Sequence, residues 1–267
     1  MPEGHTLHRL ARRHNECFAG HQVRVSSPQG RFTEGARQVS GRVFTGAEAW
    51  GKHLLHHYDG GAIVHIHLGL YGAFTEHAAP MPAPVGEVRM RIAGQDWGTD
   101  LRGPARCAVI TQYEAGQLFS RLGPDPLRAD ADADAERAAA RVLRSRAAIG
   151  GLLLNQEVIA GVGNVYRAEV LFRQGLNPFR TGTSLVRDDW DRLWQDLIEL
   201  MPVGVREGKM ITVRPQHDSG EPAYAPGRPR TYVYRRAGEK CRVCGTVILQ
   251  SELQARKIFW CPSCQPA

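Results

Sequence analysis

Four of the chain's six cysteines crowd into CRVCGTVILQSELQARKIFWCPSC, as Cys241-x2-Cys244, a gap of sixteen residues, and Cys261-x2-Cys264. Two thiolates with two residues between them can turn toward one ion, and two such pairs complete a tetrahedron with sulfurs about 2.3 Å from the metal. The spacing predicts a compact C-terminal knot. VILQ and KIFW read as the two strands of a hairpin between the knuckles, and Gly245 supplies the permissive backbone of the first knuckle. Four thiolates leave no open coordination position, so a single Zn2+ there would be structural. A disulfide framework is the poorer reading, because the chain opens polar and acidic, unlike a secretory signal. Cys17 and Cys107 stand apart and read as core thiols. Arg256 and Lys257, at the turn before IFWC, are either presented to a ligand by the hairpin or are a solvated charge pair.

With 267 residues there is chain enough for one or two domains and a small module. No apolar run approaches the eighteen or so residues of a membrane span. A membrane partner and export are therefore not expected, and a cytoplasmic location is. The net charge of +7, from 34 Lys and Arg against 27 Asp and Glu, favours a polyanionic partner, of which nucleic acid is the commonest. The acids bunch at 125–136, which leaves the remaining surface more basic than the total.

Residues 20 to about 120 are short β-prone runs bounded by Gly, Pro and Asp. In GAIVHIHLGLYGAF, Val64, Ile66, Leu68 and Leu70 alternate with His65, His67 and Gly69, as in a half-buried strand. EVRMRIAG, DWGTDLRG and ARCAVITQYE continue the pattern, and so many strands in a row argue a sandwich or barrel. WGKHLLHHYDGG places Lys52 at the head of a strand ending in a DGG turn. His53, His56, His57, His65 and His67 have no carboxylates at matching positions and read as solvated or core-edge histidines.

The second half is helical. ERAAARVLRSRAAIGGLLLNQ is rich in Ala, Leu and Arg with helical periodicity. In QEVIAGVGNVYRAEVLF, Gly161 and Gly163 break the pattern and Asn164 stands where an N-cap is favoured. A glycine turn feeding a helix N-terminus also suits an anion, which in a basic protein would be a phosphate. A further amphipathic helix carries Leu193, Trp194, Leu197 and Leu200 as its buried stripe.

The chain opens MPEGHTLHRL. Proline and an acid suit the first turn of a helix. Equally, removal of Met1 would leave Pro2 as a free secondary amine beside the Glu3 carboxylate.

These pieces stand in an order that resembles the formamidopyrimidine-DNA glycosylase/endonuclease VIII family over essentially the whole chain. The resemblance rests on the opening Pro-Glu, the lysine of WGKHLL, LGPDPL at 122–127, QEVIAGVGNVYRAEVLF, VYRRAGEKCRVCG and RKIFWCPSCQ. It implies an α+β multidomain fold. Residues 1–128 would form an N-terminal catalytic β-sandwich with an opening helix, 129–230 a helix-two-turn-helix domain, and 231–267 a four-cysteine zinc-finger hairpin. It implies a bifunctional DNA glycosylase/AP lyase of base-excision repair, acting as a monomer on double-stranded DNA with oxidised bases or abasic sites. In such enzymes the amine of Pro2 attacks the sugar and Glu3 moves protons at the opening ring. Lys52 assists the first elimination, and Arg256 grips the flanking phosphate and supports the second. Asn164 binds phosphate, Arg121 contacts DNA, and Leu70 and Tyr71 fill the void left by a flipped base. Leu70 fits a buried strand position equally well.

The resemblance is closer to the endonuclease VIII branch, whose substrates are oxidised pyrimidines. Thr6 stands where formamidopyrimidine-type members carry a second glutamate, and Gly69 where endonuclease VIII carries a glutamine. The Gly/Pro-rich run 217–230 occupies the place of the purine branch's lesion-capping loop, and an oxidised-purine glycosylase is the alternative. A non-catalytic DNA-binding zinc protein would keep the finger and the phosphate site but has no use for a free terminal amine. A zinc-ribbon RNA binder would carry base-stacking aromatic clusters that this sequence lacks.

Overall fold

The computed structural model describes residues 2–128, 131–222 and 225–267, except for the side chains of 131–133. Parts of two segments singled out above, 125–136 and 217–230, thus lie outside the described residues. The chain divides into two compact units, 1–121 and 122–267. None of the described helices is long and apolar enough to cross a membrane.

The first unit opens with helix α1 (Gly4–Phe18), followed by β1 (Arg24–Ser26) and the short α2 (Thr33–Val39). Then come β2 (Phe44–Trp50), β3 (His53–Tyr58), β4 (Ile63–His67), β5 (Ala73–Ala78), β6 (Val88–Ala93), β7 (Trp97–Arg102) and β8 (Arg106–Ile110). Two antiparallel four-stranded sheets result, ordered β1-β6-β7-β5 and β2-β3-β4-β8. Their apolar faces share a core that includes Leu7 and Phe18 of α1, Phe44, Leu54, Val64, Ile66, Met90, Ile92 and Leu101. The β-sandwich with an opening helix is therefore present, and strict alternation is cleanest in β6, where Val88, Met90 and Ile92 are fully buried.

Two strand readings are corrected. ARCAVITQYE leaves the sheet at Ile110, and Thr111 caps helix α3 (Gln112–Ser120). The Thr111 Oγ1 takes the Glu114 N–H while the Glu114 carboxylate takes the Thr111 N–H at 2.7 Å, a reciprocal capping box. Helix α3 covers the outer face of β3, β4 and β8 through Leu55, Ile63, Ile110, Ala115 and the partly buried Phe119. For that reason β4 is buried on both faces rather than one, and it stops at His67. Gly69 then takes φ +67°, and a Cβ on Gly72 would lie 2.3 Å from the Leu68 carbonyl oxygen. This tight turn lifts Leu70 and Tyr71 out of the sheet.

The second unit contains α4 (Ala131–Val142), α5 (Ile149–Leu152), α6 (Asn164–Arg173), α7 (Arg187–Glu207), β9 (Leu249–Leu253) and β10 (Arg256–Trp260). The helical run from 136 is split between α4 and α5. The chain at 178–183 docks on the break, where Ile149 N–H donates to the Arg180 carbonyl and Thr183 N–H to that of Ser145. These bonds satisfy backbone groups that a continuous helix would have paired internally. Helix α7 buries Leu193, Trp194, Leu197 and Leu200 as its periodicity requires.

Every residue of α6 from Asn164 to Phe172 is buried. Its Ala168 and Phe172 enter a core with Tyr232, Val233, Cys241, Ile248, Ile258, Phe259 and Cys261. The C-terminal finger thus shares its interior with α6. The finger hairpin is offset from VILQ by two residues, pairing Leu249–Leu253 with Arg256–Trp260 around Gln254–Ala255.

Candidate active site and nucleic-acid interface

Helix α1 begins at Gly4, with Glu3 as its N-cap residue in extended conformation and no side-chain capping bond. Pro2 therefore precedes the helix and does not occupy its first turn, and the Glu3 side chain does not serve as the cap. Glu3 is fully buried and Pro2 half-buried. An ionisable carboxylate in such a place costs folding free energy unless it is bonded, which is more typical of a working group than of a helix terminus. His5, also buried, contacts Thr6 Oγ1 through Nε2 at 3.2 Å. Burial first, then the charge of the chain terminus and of Arg9, lower its pKa to about 4, so it is neutral near pH 7.

Helix α1 is held on the second sheet by polar contacts. Asn15 Nδ2 donates to the Ala47 carbonyl at 2.9 Å and its Oδ1 accepts the Ala47 N–H. His14 Nδ1 lies 2.9 Å from His56 Nε2, both rings fully buried among Phe18, Phe44 and Phe74. His56 is thus a core residue, not a core-edge one, and His57 has a carboxylate neighbour after all, Glu48 Oε1 at 3.2 Å.

Lys52 sits with Gly51 in the two-residue turn joining β2 to β3, where Trp50 pairs with His53. Gly51 takes φ +58°, the conformation that the first position of such a turn requires. Beside Lys52, His53 Nδ1 meets His65 Nε2 at 2.9 Å, and the His53 and His67 rings lie 5.0 Å apart. Burial, followed by the charges of His65, His67, Lys52 and Arg106, lowers the His53 pKa to about 3. Leu70 is 47% exposed and Tyr71 87%, at the tip of the turn after β4. Between its two readings, Leu70 takes the exposed one. Arg121 is exposed at the C-cap of α3.

In the second unit, Asn164 is the first residue of α6, and the N-cap is Gly163. Its Nδ2 donates to the Lys257 carbonyl at 3.0 Å, while its Oδ1 has no hydrogen-bond partner. Arg167, one turn on and fully buried, donates to the Gly150 carbonyl at 2.9 Å and the Lys257 carbonyl at 3.1 Å. Glu169, also fully buried, accepts from Thr212 Oγ1 and from the consecutive N–H groups of Tyr232, Val233 and Tyr234 at 2.6–2.9 Å. Arg256 and Lys257 open β10 and are exposed. Behind them Gln254 and Ala255 both have positive φ, 53° and 54°. A Cβ on Gly151 of α5 would lie 2.5 Å from Gln254 Nε2, so the glutamine side chain of the hairpin tip packs directly against this glycine.

Arg167 and Glu169 escaped notice in the sequence. They carry charge at positions where the helical period places apolar residues, and that conflict is the mark by which they could have been found. Arg167 fixes the main chain next to Arg256, and Glu169 fixes that of Tyr232–Tyr234.

The four Sγ atoms of Cys241, Cys244, Cys261 and Cys264 lie within 4.8 Å of one another. Cys244 and Cys261 are 3.4 Å apart and Cys241 and Cys264 3.9 Å, too far for disulfides. Sulfurs at about 2.3 Å from a common tetrahedral centre are separated by roughly 3.8 Å. The donor set and its geometry fit one zinc ion.

The formamidopyrimidine-DNA glycosylase N-terminal domain matches residues 1–107, and the H2TH domain of formamidopyrimidine-DNA glycosylase matches residues 122–215. The chain is 58% identical to endonuclease 8 1 of Mycobacterium tuberculosis, over 99% of its length and all of the relative's. It is 28% identical to endonuclease 8 of Klebsiella pneumoniae, again over 99% and 100% of the two chains. A formamidopyrimidine-DNA glycosylase of Xanthomonas campestris is 32% identical over 85% of this chain and 83% of that one. Among solved structures, Lactococcus lactis Fpg in complex with DNA containing an abasic site superposes with a TM-score of 0.81. That match covers 99% of this chain and 100% of the other at 20% identity, a likeness of fold.

Proposed function

The chain belongs to the formamidopyrimidine-DNA glycosylase/endonuclease VIII family of base-excision repair DNA glycosylase/AP lyases, and from that membership we propose that its nucleophile is the amine of Pro2. The observation that carries this is the placement of Pro2 outside α1, directly before a buried Glu3 that performs no capping. Once Met1 is removed, the neutral secondary amine attacks C1′ of the damaged nucleotide. The C1′–N bond breaks and its electron pair leaves with the base. An α-amino group ordinarily has a pKa of about 7.7–8.0, so a fraction of such amines is neutral and nucleophilic near neutral pH. Glu3 supplies the proton that the ring oxygen takes as the sugar opens.

The iminium that forms is obligatorily cationic and acidifies the C2′ hydrogen. Lys52 assists removal of that proton while the 3′ phosphate departs. Loss of a C4′ proton then expels the 5′ phosphate, with Arg256 holding the flanking phosphate, and water regenerates the amine. Asn164 spends one amide hydrogen on the Lys257 carbonyl, and its second is the one a phosphate would take. The damaged base reaches the amine only if it is turned out of the duplex, at a cost of a few kcal/mol. Leu70 and Tyr71, exposed on a glycine-pinned turn, fill the vacated stack, and Arg121 contacts the DNA. Zinc held by Cys241, Cys244, Cys261 and Cys264 would supply a closed tetrahedral knot beneath Arg256 and no chemistry.

The substrate class is oxidised pyrimidines. Support comes from Thr6 in place of a second acid and from the far greater identity to endonuclease 8 1 than to the formamidopyrimidine enzymes. Initial rates on duplexes with a single thymine glycol or a single 8-oxoguanine test this. Faster release of thymine glycol is expected, whereas preference for 8-oxoguanine would move the chain to the purine branch.

A further inference from the structure

The turn that carries Leu70 and Tyr71 is held by more than its glycines. Leu68 is 2% exposed and anchors the start of the turn in the sandwich core. The Gly72 N–H donates to the Leu68 carbonyl at 2.9 Å and closes the turn on itself. A Cβ on Gly69 would lie 2.8 Å from that of Ala105, so the turn also rests on the connection between β7 and β8. The Gly69 N–H donates to Nδ1 of His67 at 3.2 Å. His67 is the last residue of β4, so a side chain of the sheet reaches forward two residues and grips the main chain beside Leu70.

An imidazole accepts at Nδ1 only while that nitrogen is unprotonated, which puts the ring's one proton on Nε2. Burial first, then the charge of Lys52, lowers the His67 pKa and keeps the ring in that form near neutral pH. Packing fixes its orientation. His53 stands opposite His67 in the β3–β4 register with the two rings 5.0 Å apart, and His53 Nδ1 lies 2.9 Å from His65 Nε2. His65 is 5% exposed, and burial, then the charge of Arg106, lowers its pKa to about 4. Three neutral imidazoles thus stand behind the turn, and one of them bonds it. A loop tip bearing two exposed apolar side chains would otherwise sample many conformations and lose them on entering a base stack. A turn ordered beforehand forfeits less.

We propose that His67 is a positioning residue, whose Nδ1 holds the Gly69 N–H and so presents Leu70 and Tyr71 in the orientation that fills the stack a damaged base has left. The proposal rests on the void-filling reading given above. Asparagine can place its Oδ1 where Nδ1 stands, whereas the longer glutamine side chain reaches the Nε2 position. The test uses a duplex with a reduced abasic site opposite 2-aminopurine, whose fluorescence rises when the turn enters and unstacks it. In stopped flow, His67→Asn should brighten the probe at a rate within about twofold of wild type. His67→Gln should do so roughly tenfold more slowly, for want of one hydrogen bond. Equal rates for all three proteins overturn the proposal, and so does an Asn variant as slow as the Gln one, which would place the effect at Nε2. Matching thermal melts will show that the fold is intact in both variants. A Leu70→Ala/Tyr71→Ala variant separates the two readings. If it brightens the probe like wild type, or if wild type itself leaves the probe dark, the void-filling reading fails and this proposal with it. If it stays dark while His67→Gln keeps the wild-type rate, this proposal alone fails.

Discussion

At the residue scale, His14 and His56 show what a sequence hides. They are 42 residues apart and nothing in the local pattern of either predicts a partner. Two imidazoles sharing one hydrogen bond leave one outer nitrogen protonated, and His14 Nε2 and His56 Nδ1 both lack partners in the core. Burial, with Arg13 nearby, lowers the His14 pKa to about 3; burial, then His14 and His57, puts that of His56 well below its usual value. Above pH 6.5 the folded and unfolded chains are both neutral at these sites, and no pH dependence arises from them. Below it the unfolded chain takes up protons that the folded one refuses. Stability then declines from about pH 6.5 toward pH 3, at up to roughly 1.4 kcal/mol per pH unit per histidine. Thermal melts at pH 7.5 and pH 5 should show a large loss for wild type. The loss should be clearly smaller for a His14→Leu/His56→Leu variant, and an equal loss would contradict this account. Leu70 makes a related point: alternation placed it in a strand, and only the turn geometry at Gly69 and Gly72 shows that it leaves.

At the element scale, the cysteine spacing was the most legible feature, because a metal knot is defined by local sequence. What the spacing could not convey is that the finger has no core of its own. Its apolar residues close on α6, whose buried Asn164, Arg167 and Glu169 each take at least one hydrogen-bond partner from the finger's main chain. The same long-range dependence explains two misread elements. TQYE has strand-like residues but a Thr-x-x-Glu box that starts α3, and the run from 136 breaks where a distant segment docks. Removing the metal should therefore loosen the platform that presents Arg256. Chelation verified by metal analysis is expected to lower DNA affinity by about tenfold or more, with recovery on adding zinc back. Undiminished binding after proven metal loss would show that Arg256 does not depend on the knot.

At the scale of the whole molecule, the candidate residues are drawn from both units. Pro2, Glu3, Lys52, Leu70, Tyr71 and Arg121 lie in the first, and Asn164, Arg256 and the four cysteines in the second. A net charge of +7 suits the polyanion on which they would act together. The order of motifs along the chain was enough to indicate the fold and the family. The order could not reveal that Pro2 stands outside its helix or that Glu3 is wholly buried. Those properties arise from packing between distant segments. The central claim is that the terminal secondary amine is the nucleophile, and borohydride reduction on a duplex with one abasic site tests it most directly. After proteolysis, mass spectrometry should find the sugar remnant on the peptide that begins at Pro2, and acetylating the terminus should abolish the adduct. No adduct, or a remnant mapped to Lys52, would contradict the claim.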